Sequence, residues 1–305
     1  MSAPVAYVAN NGSHEVSVID TATNTVVTTV PVDGAPIRLA VTPDGKRAYI
    51  AIRTPDNTGT VSVLDAATNT LVATETVTDF FIAGVAITPD GKQAYVANSG
   101  NANAVTVLDT ATNTVLAEIP QRESIDLAFA PDGKHAYVTD FDGVSVIDTI
   151  AQKVQTTIPT AKAAAATVGR GVAITPDGKH AYLTNGGANK VSVIDTATNT
   201  VSATVVVGGD PVGVTVGPDG KRAYVANHSS NDVSVIDTAT NTVVATVVVG
   251  ASPIAVAPTA DGKYVYVTNE DSGTVSVIDT ATNTVAATIA VGRRPFGMAI
   301  GPITR

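Results

Sequence analysis

The chain contains no cysteine. That excludes disulfides, thiolate metal sites and cysteine nucleophiles together. It has no tryptophan and only 4% aromatic residues, so any core has to be built from aliphatic side chains. Charged residues make up 15% of the 305, and with so many aliphatics between them the chain is not of the disordered class. The net charge is −9, with no lysine or arginine stripe. Such a surface repels a phosphate backbone, so no nucleic-acid partner is expected. The same sign disfavours anionic membranes and favours solubility. No apolar run reaches the roughly 18 residues that a bilayer span requires. Met1-Ser2-Ala3-Pro4 runs directly into an expected strand, Val5–Asn10, with no charged or long apolar leader before it. The expected location is therefore the cytoplasm, with export behind a removed signal as the alternative.

What is present is repetition. The turn Pro-Asp-Gly-Lys begins at Pro43, Pro89, Pro131, Pro176 and Pro218, and Ala260-Asp261-Gly262-Lys263 is a sixth copy. A short strand centred on tyrosine follows each one, at Tyr49, Tyr95, Tyr137, Tyr182, Tyr224 and Tyr266. A third segment reads Val-Ser-Val-Ile-Asp-Thr-Ala-Thr-Asn-Thr, as at Val191–Thr200, Val233–Thr242 and Val275–Thr284, and a fourth is valine-rich, as in Val243–Val249. Asp-Gly supplies a tight turn because glycine accepts positive φ and aspartate bonds its own backbone. Four short β-branched runs in each repeat of about 42 residues describe one propeller blade.

The ends fix the count. The sequence opens on a tyrosine strand, Ala6-Tyr7-Val8-Ala9-Asn10, and closes on an innermost-type strand, Pro295–Pro302, with no tyrosine strand after it. The expected fold is all-β: a single-domain, seven-bladed β-propeller over residues 1–305, with four antiparallel strands per blade. Its ring closes where the C-terminal inner strand pairs with the N-terminal strands. Closure removes exposed sheet edges at the seam. The expected oligomeric state is monomer.

The motif Ala-Tyr-Val-Ala/Thr-Asn followed by Val-Ser-Val-Ile-Asp-Thr-Ala-Thr-Asn-Thr resembles the YVTN-type, surface-layer-like β-propeller repeat family along essentially the whole chain. That resemblance implies the fold. Its relatives imply three kinds of role: surface or adhesion modules, stand-alone binding propellers, and, more distantly, lactonase and lyase enzymes. A shared fold hosts unrelated functions, so activity has to be argued from a site.

In a four-stranded meander, Pro-Asp-Gly-Lys and Ala-Thr-Asn-Thr emerge on one face, and these turns are nearly invariant between repeats. The other two connections emerge on the opposite face and vary. Aligning the inner strands gives a column Arg38, Gly84, Asp126, Gly171, Gly213, Ala255 and Gly297. Small residues suit a crowded axis, and Arg38 and Asp126 break the rule. The column before it is apolar except for Arg170, and the asparagine that ends each tyrosine strand is replaced at Ile52 and Asp140. The irregular loops run from Arg53 to Thr60, Asp79 to Phe81, Gln121 to Ser124, Asp140 to Gly143, and Pro159 to Gly169, the last with an alanine-rich insertion, Ala161–Ala166. These departures place a lopsided pocket over residues 33–171, while the last three blades are close to consensus. Its expected ligand-binding residues are Arg38, Arg53, Phe80, Phe81, Arg122, Asp126, Asp140, Phe141, Arg170 and Phe296.

Arginines gathered on one face of an acidic protein suit an anion, so the leading expectation is binding of a small anionic molecule or peptide on the variable face. The alternative is a lactonase-like hydrolase, or a lyase or cyclase, in the same funnel, with Asp126, Asp140 or His228 as the proton-transfer group. The charged set also reads as a network bracing the funnel. No cofactor is expected. Asp126, Asp140, Glu123 and Glu270 are candidates for hard oxygen ligands to Ca²⁺ or Mg²⁺. No Gly-x-Ser-x-Gly elbow or phosphate-cradling glycine loop is present.

Overall fold

Alternation of β-branched residues with Asp-Gly and Thr-Asn turns dictates short antiparallel strands, and the computed structural model contains 28 of them in seven four-stranded sheets. It describes residues 4–78, 81–99, 104–140, 143–160 and 171–301. From the inner to the outer strand, blade 1 comprises Ala35–Val41, Arg47–Arg53, Gly59–Asp65 and Thr70–Thr78. Blade 2 comprises Ile82–Ile87, Gln93–Asn98, Ala104–Asp109 and Val115–Pro120, and blade 3 Leu127–Phe129, His135–Thr139, Gly143–Asp148 and Lys153–Pro159. Blade 4 has Val172–Ile174, His180–Asn185, Lys190–Asp195 and Thr200–Val206; blade 5 has Pro211–Val216, Arg222–Asn227, Asp232–Asp237 and Thr242–Val248. Blade 6 has Pro253–Pro258, Tyr264–Asn269, Thr274–Asp279 and Thr284–Ala290. Blade 7 is composite: Pro295–Gly301 pairs with Val5–Asn10, followed by Glu15–Asp20 and Thr25–Pro31. Tyr7 sits opposite Ala299 and Val5 opposite Gly301, which is the closure expected from the sequence.

The invariant turns fold themselves. In Thr42–Arg47, Asp44 accepts the Lys46 N–H and the Thr42 hydroxyl, and Gly45 takes φ 70°. In Asp65–Thr70, Asp65 accepts the N–H groups of Ala67 and Thr68, and Asn69 adopts φ 54°. The two turns meet on one face, where Ala66 N–H donates to Lys46 O at 2.9 Å and Thr238 N–H to Lys221 O at 3.1 Å.

The core is a set of layers between blades rather than one central cluster. Tyr49, Val61 and Val63 of blade 1, for example, pack with Val85, Val96 and Leu108 of blade 2. At about 1.5–3 kcal/mol per fully buried aliphatic side chain, each such layer is a substantial source of stability. The tyrosine hydroxyls then reach across. Tyr49 donates to Asn113 Oδ1 at 2.7 Å, Tyr137 to Asn199 at 3.1 Å and Tyr182 to Asn241 at 2.8 Å, and Tyr266 donates to Asn24. Each acceptor is the left-handed asparagine of the next blade's outer turn. This clasp links tyrosine to Thr-Asn at those four junctions; at Asn69, in the same left-handed position of blade 1, the amide oxygen is buried without a partner. Blade 3 carries Gln152 at that position, with φ 50°, and the buried hydroxyl of Tyr95 has no partner.

Candidate functional site

The variable face takes its form from a bulge in the inner strands. In blade 1 the register shifts between Pro36 and Arg38, in blade 2 between Ile82 and Gly84, and in blade 5 between Pro211 and Val214. The bulge carries the column noted in the sequence and pushes it against the neighbouring blade. A Cβ on Gly213 would lie 2.3 Å from Ile254 O, one on Gly171 2.6 Å from Val212 O, and one on Gly297 2.7 Å from Arg38 Cα. Small residues are therefore a packing requirement there.

Arg38 and Asp126 are the two charged members, and they come from blades that are not neighbours. Blade 2 lies between them and contributes Gly84, whose Cβ position is 3.4 Å from Asp126 Oδ1. Across this gap Arg38 Nη2 stands 3.7 Å from Asp126 Oδ2, with the two side chains 15% and 16% exposed. The Asp126 N–H donates to Thr139 Oγ1 at 3.0 Å. Burial pushes the Asp126 carboxyl above its ordinary range, opposed by Arg38 and by the N–H groups of Leu127 and Val172. The result is an ion pair wider than a hydrogen bond, set in a narrow, slightly exposed axis.

Around this pair the expected residues separate. Arg53, at the end of its strand in blade 1, lies over the Phe81 ring at 5.1 Å, and Phe81 is 45% exposed. A cation stacked on an aromatic face in this way gains about 0.5–1 kcal/mol at an exposed site. Arg122 is exposed. Asp140 ties two variable loops together: Oδ2 accepts Gln121 Nε2 at 2.8 Å from the loop that enters blade 3, and Oδ1 accepts the Gly143 N–H at 2.7 Å within its own loop. Phe296 is half-buried, and its carbonyl accepts the Thr268 hydroxyl at 2.7 Å. Phe80, Phe141 and Arg170, and the alanine-rich insertion, lie outside the described residues. Among the described residues no three His, Asp or Glu side chains gather as a metal site.

A second constellation lies over the blades closest to consensus, which the sequence reading had left without a site. Asp210 and Arg294 hold equivalent left-handed positions before Pro211 and Pro295, with φ 52° and 50°. His228 and Glu270 each follow the asparagine that ends a tyrosine strand. Arg294 donates through Nε at 2.8 Å and Nη2 at 2.5 Å to Glu270 Oε1. His228 Nε2 lies 3.8 Å from Glu270 Oε2, and its Nδ1 lies 3.9 Å from Asp210 Oδ2. An acid–histidine–acid–arginine chain thus spans blades 5, 6 and 7, and Asp210 Oδ1 is buried without a partner. From the sequence, His228 is a proton-transfer candidate and Glu270 only a metal-ligand candidate; Asp210 and Arg294 are not expected at a site, because the turn position they share varies freely between repeats.

The opposite face is different in kind. Its clefts of about 470, 610 and 270 Å³ are copies of one gap between successive Asp-Gly turns. His180 lines one of these clefts and is half-buried.

Comparison with known proteins decides the family. Residues 126–291 match the profile of the family described as lactonase, 7-bladed beta-propeller. The chain belongs to that family. Among solved structures, this lactonase-family propeller is similar to Kuenenia stuttgartiensis hydrazine synthase, with TM-score 0.82 and 27% identity over 90% of this chain and 92% of that one. A functionally unknown protein from Desulfotomaculum acetoxidans has TM-score 0.82 and 17% identity, covering 98% and 99% of the two chains. Dihydro-heme d1 dehydrogenase NirN in complex with DHE has TM-score 0.69 and 16% identity, covering 96% and 74%. At those last two identities the likeness is one of fold. Among curated proteins none matches. No helix is long and apolar enough to cross a membrane among the described residues.

Proposed function

We propose that this propeller binds a small carboxylate-bearing molecule in the variable-face funnel, with Arg38 as its anchor. The observation that carries this reading is the Arg38–Asp126 pair, held 3.7 Å apart where the fold otherwise admits only glycine or alanine. Charges placed in a crowded axis are costly unless paired or used, and this pair is too wide to satisfy the guanidinium. A ligand carboxylate takes the open arginine donors in a charge-assisted, two-pronged contact. Asp126, whose carboxyl burial pushes above its ordinary range, faces the same ligand across the axis. Arg53 on Phe81 and the exposed Arg122 supply attraction at the rim.

The test is a thermal-shift screen of small carboxylates, short peptides and lactones. A ligand present at 100 times its dissociation constant stabilises the folded chain by about 2.7 kcal/mol. Arg38→Ala should abolish the shift, and Asp126→Asn should reduce it. If both variants respond like the parent, the site is not at the axis.

Lactone hydrolysis is the second reading, supported by family membership and by His228 set between two carboxylates. In it, His228 takes a proton from the water that attacks the ester carbonyl, Asp210 orients the imidazole, and Arg294 fixes Glu270. Acid release from a lactone panel should then fall by about 10²–10⁴ in His228→Gln. Absence of acid release from every lactone by the parent protein counts against it.

A further inference from the structure

Only 4% of the chain is aromatic, and the fold buries the strand tyrosine of every blade and sets Phe129 edge-on against Tyr95. Phe81 is treated differently. It is the one aromatic among the large hydrophobic side chains that the described residues leave exposed; the rest are valine, leucine and isoleucine. Scattered exposed aliphatics are ordinary on a protein surface. An aromatic ring that is both exposed and held in place is not.

Phe81 is held by Arg53, whose guanidinium lies over the ring at 5.1 Å and has the ring, rather than a carboxylate, as its partner among the described residues. Arg53 pairs with Ala35 at the end of its strand, and Phe81 directly precedes the strand Ile82–Ile87. Arg38 and Gly84 stand three residues further along those same two inner strands. At about 3.3 Å per residue, the stacked pair sits about 10 Å nearer the rim of the variable face. The register shifts at Pro36 to Arg38 and at Ile82 to Gly84 shorten that span a little. The ring therefore stands at the mouth of blade 2, the blade whose Gly84 lies between Arg38 and Asp126. Two levels result, a guanidinium at depth and a braced aromatic face above it.

We propose, resting on Arg38 as the carboxylate anchor, that the preferred ligand is an arylalkyl carboxylate: an acid at one end, an aromatic ring at the other and a short alkyl chain between. The carboxylate takes the donors of Arg38. The ring stacks, offset, on the face of Phe81 that Arg53 leaves open. Both levels select this occupant. A flat ring fixed beneath a planar guanidinium favours another flat ring over a flexible chain of the same area. An aliphatic acid engages only the lower level and a neutral arene only the upper one, whereas the two-ended ligand gains from both at once.

Isothermal titration compares 4-phenylbutanoate with 4-cyclohexylbutanoate, which keeps the acid, the chain and the apolar bulk but has no aromatic face. Benzoate, too short to reach both levels, is the third probe. The phenyl acid should bind about 3- to 10-fold more tightly than the cyclohexyl acid, the range that one aromatic pair contributes, and benzoate more weakly than either. Phe81→Leu, at an exposed position, should bring the phenyl and cyclohexyl acids to parity. Arg53→Gln should narrow the gap between them, and Arg38→Ala should weaken both in proportion. Equal affinities in the parent, both lost in Arg38→Ala, overturn the aryl preference and leave the anchor standing. A phenyl preference that survives Phe81→Leu overturns it as well. A preference lost in Phe81→Leu, with affinity untouched by Arg38→Ala, takes the acid off the axis and overturns the bridge between the two levels. If none of the three acids binds at millimolar concentration, the anchor and the aryl site fall together.

Discussion

Replacing Gln152 by asparagine should stabilise this propeller, and the reason is visible in its neighbours. At four junctions a buried tyrosine hydroxyl donates to the left-handed asparagine of the next blade. At the junction of blades 2 and 3 the asparagine is Gln152, and the Tyr95 hydroxyl is buried without a partner. A buried hydroxyl left unpaired costs about 1–3 kcal/mol, while a made hydrogen bond contributes about 0.5–1.5. Gln152→Asn places the amide oxygen one methylene nearer the backbone, where the other four acceptors sit. Asparagine also tolerates the φ of 50° found there better than glutamine does. The expected gain is about 1–2 kcal/mol, or about 2–4 °C in melting temperature for a chain of this size. Calorimetry on a four-member cycle with Tyr95→Phe isolates the cause. Tyr95→Phe keeps the edge contact with Phe129, at 5.0 Å, while removing the orphaned hydroxyl, so it should also stabilise. In its presence the gain from Gln152→Asn should shrink to a few tenths of a kcal/mol, the backbone part alone. A gain that persists in full without the hydroxyl refutes the clasp as its origin.

Two further outcomes follow. Burial raises Tyr7, Tyr95, Tyr137, Tyr182 and Tyr266 to about 12, against about 10 when unfolded. Protonated phenols therefore favour the folded state fully below about pH 10, and that stability is lost as pH rises towards about 12. Phenolate absorbance, uncluttered by tryptophan, should rise together with loss of the β circular-dichroism signal; titration of these tyrosines near pH 10 in a still-folded chain contradicts this. Gly213→Ala should cost about 2–3 kcal/mol by overpacking, since its Cβ would stand 2.3 Å from Ile254 O. An unchanged urea midpoint would show that the axis yields more readily than this contact implies.

The ring was legible in the sequence because each blade repeats its own turn chemistry, and the unmatched terminal strands Val5–Asn10 and Pro295–Gly301 told where the seam lies. Arg38 and Asp126 were legible for a related reason. A column of glycines imposed by backbone contact makes any charge within it conspicuous, even though Gly84 was needed to show that the two side chains meet. The chain from Asp210 to Arg294 was not legible. Each of its members occupies a turn position that varies freely between repeats, so a charge there breaks no rule. Only ring curvature, which sets the loop of one blade against that of the next, turns four ordinary residues into a constellation.

The composite seventh blade also sets a clock for synthesis. The three-stranded meander from Val5 to Pro31 leaves the ribosome before blades 1 to 6, but the strand that completes its sheet begins at Pro295. At roughly 5–20 residues per second, that partner arrives about 13–50 seconds later. Through that interval an aliphatic three-stranded meander has one flank bare, while blades 1 to 6 assemble in sequence beside it. A nascent chain of this design is therefore most exposed to wrong strand partners in its composite blade, and is relieved of that exposure only when Pro295–Gly301 arrives.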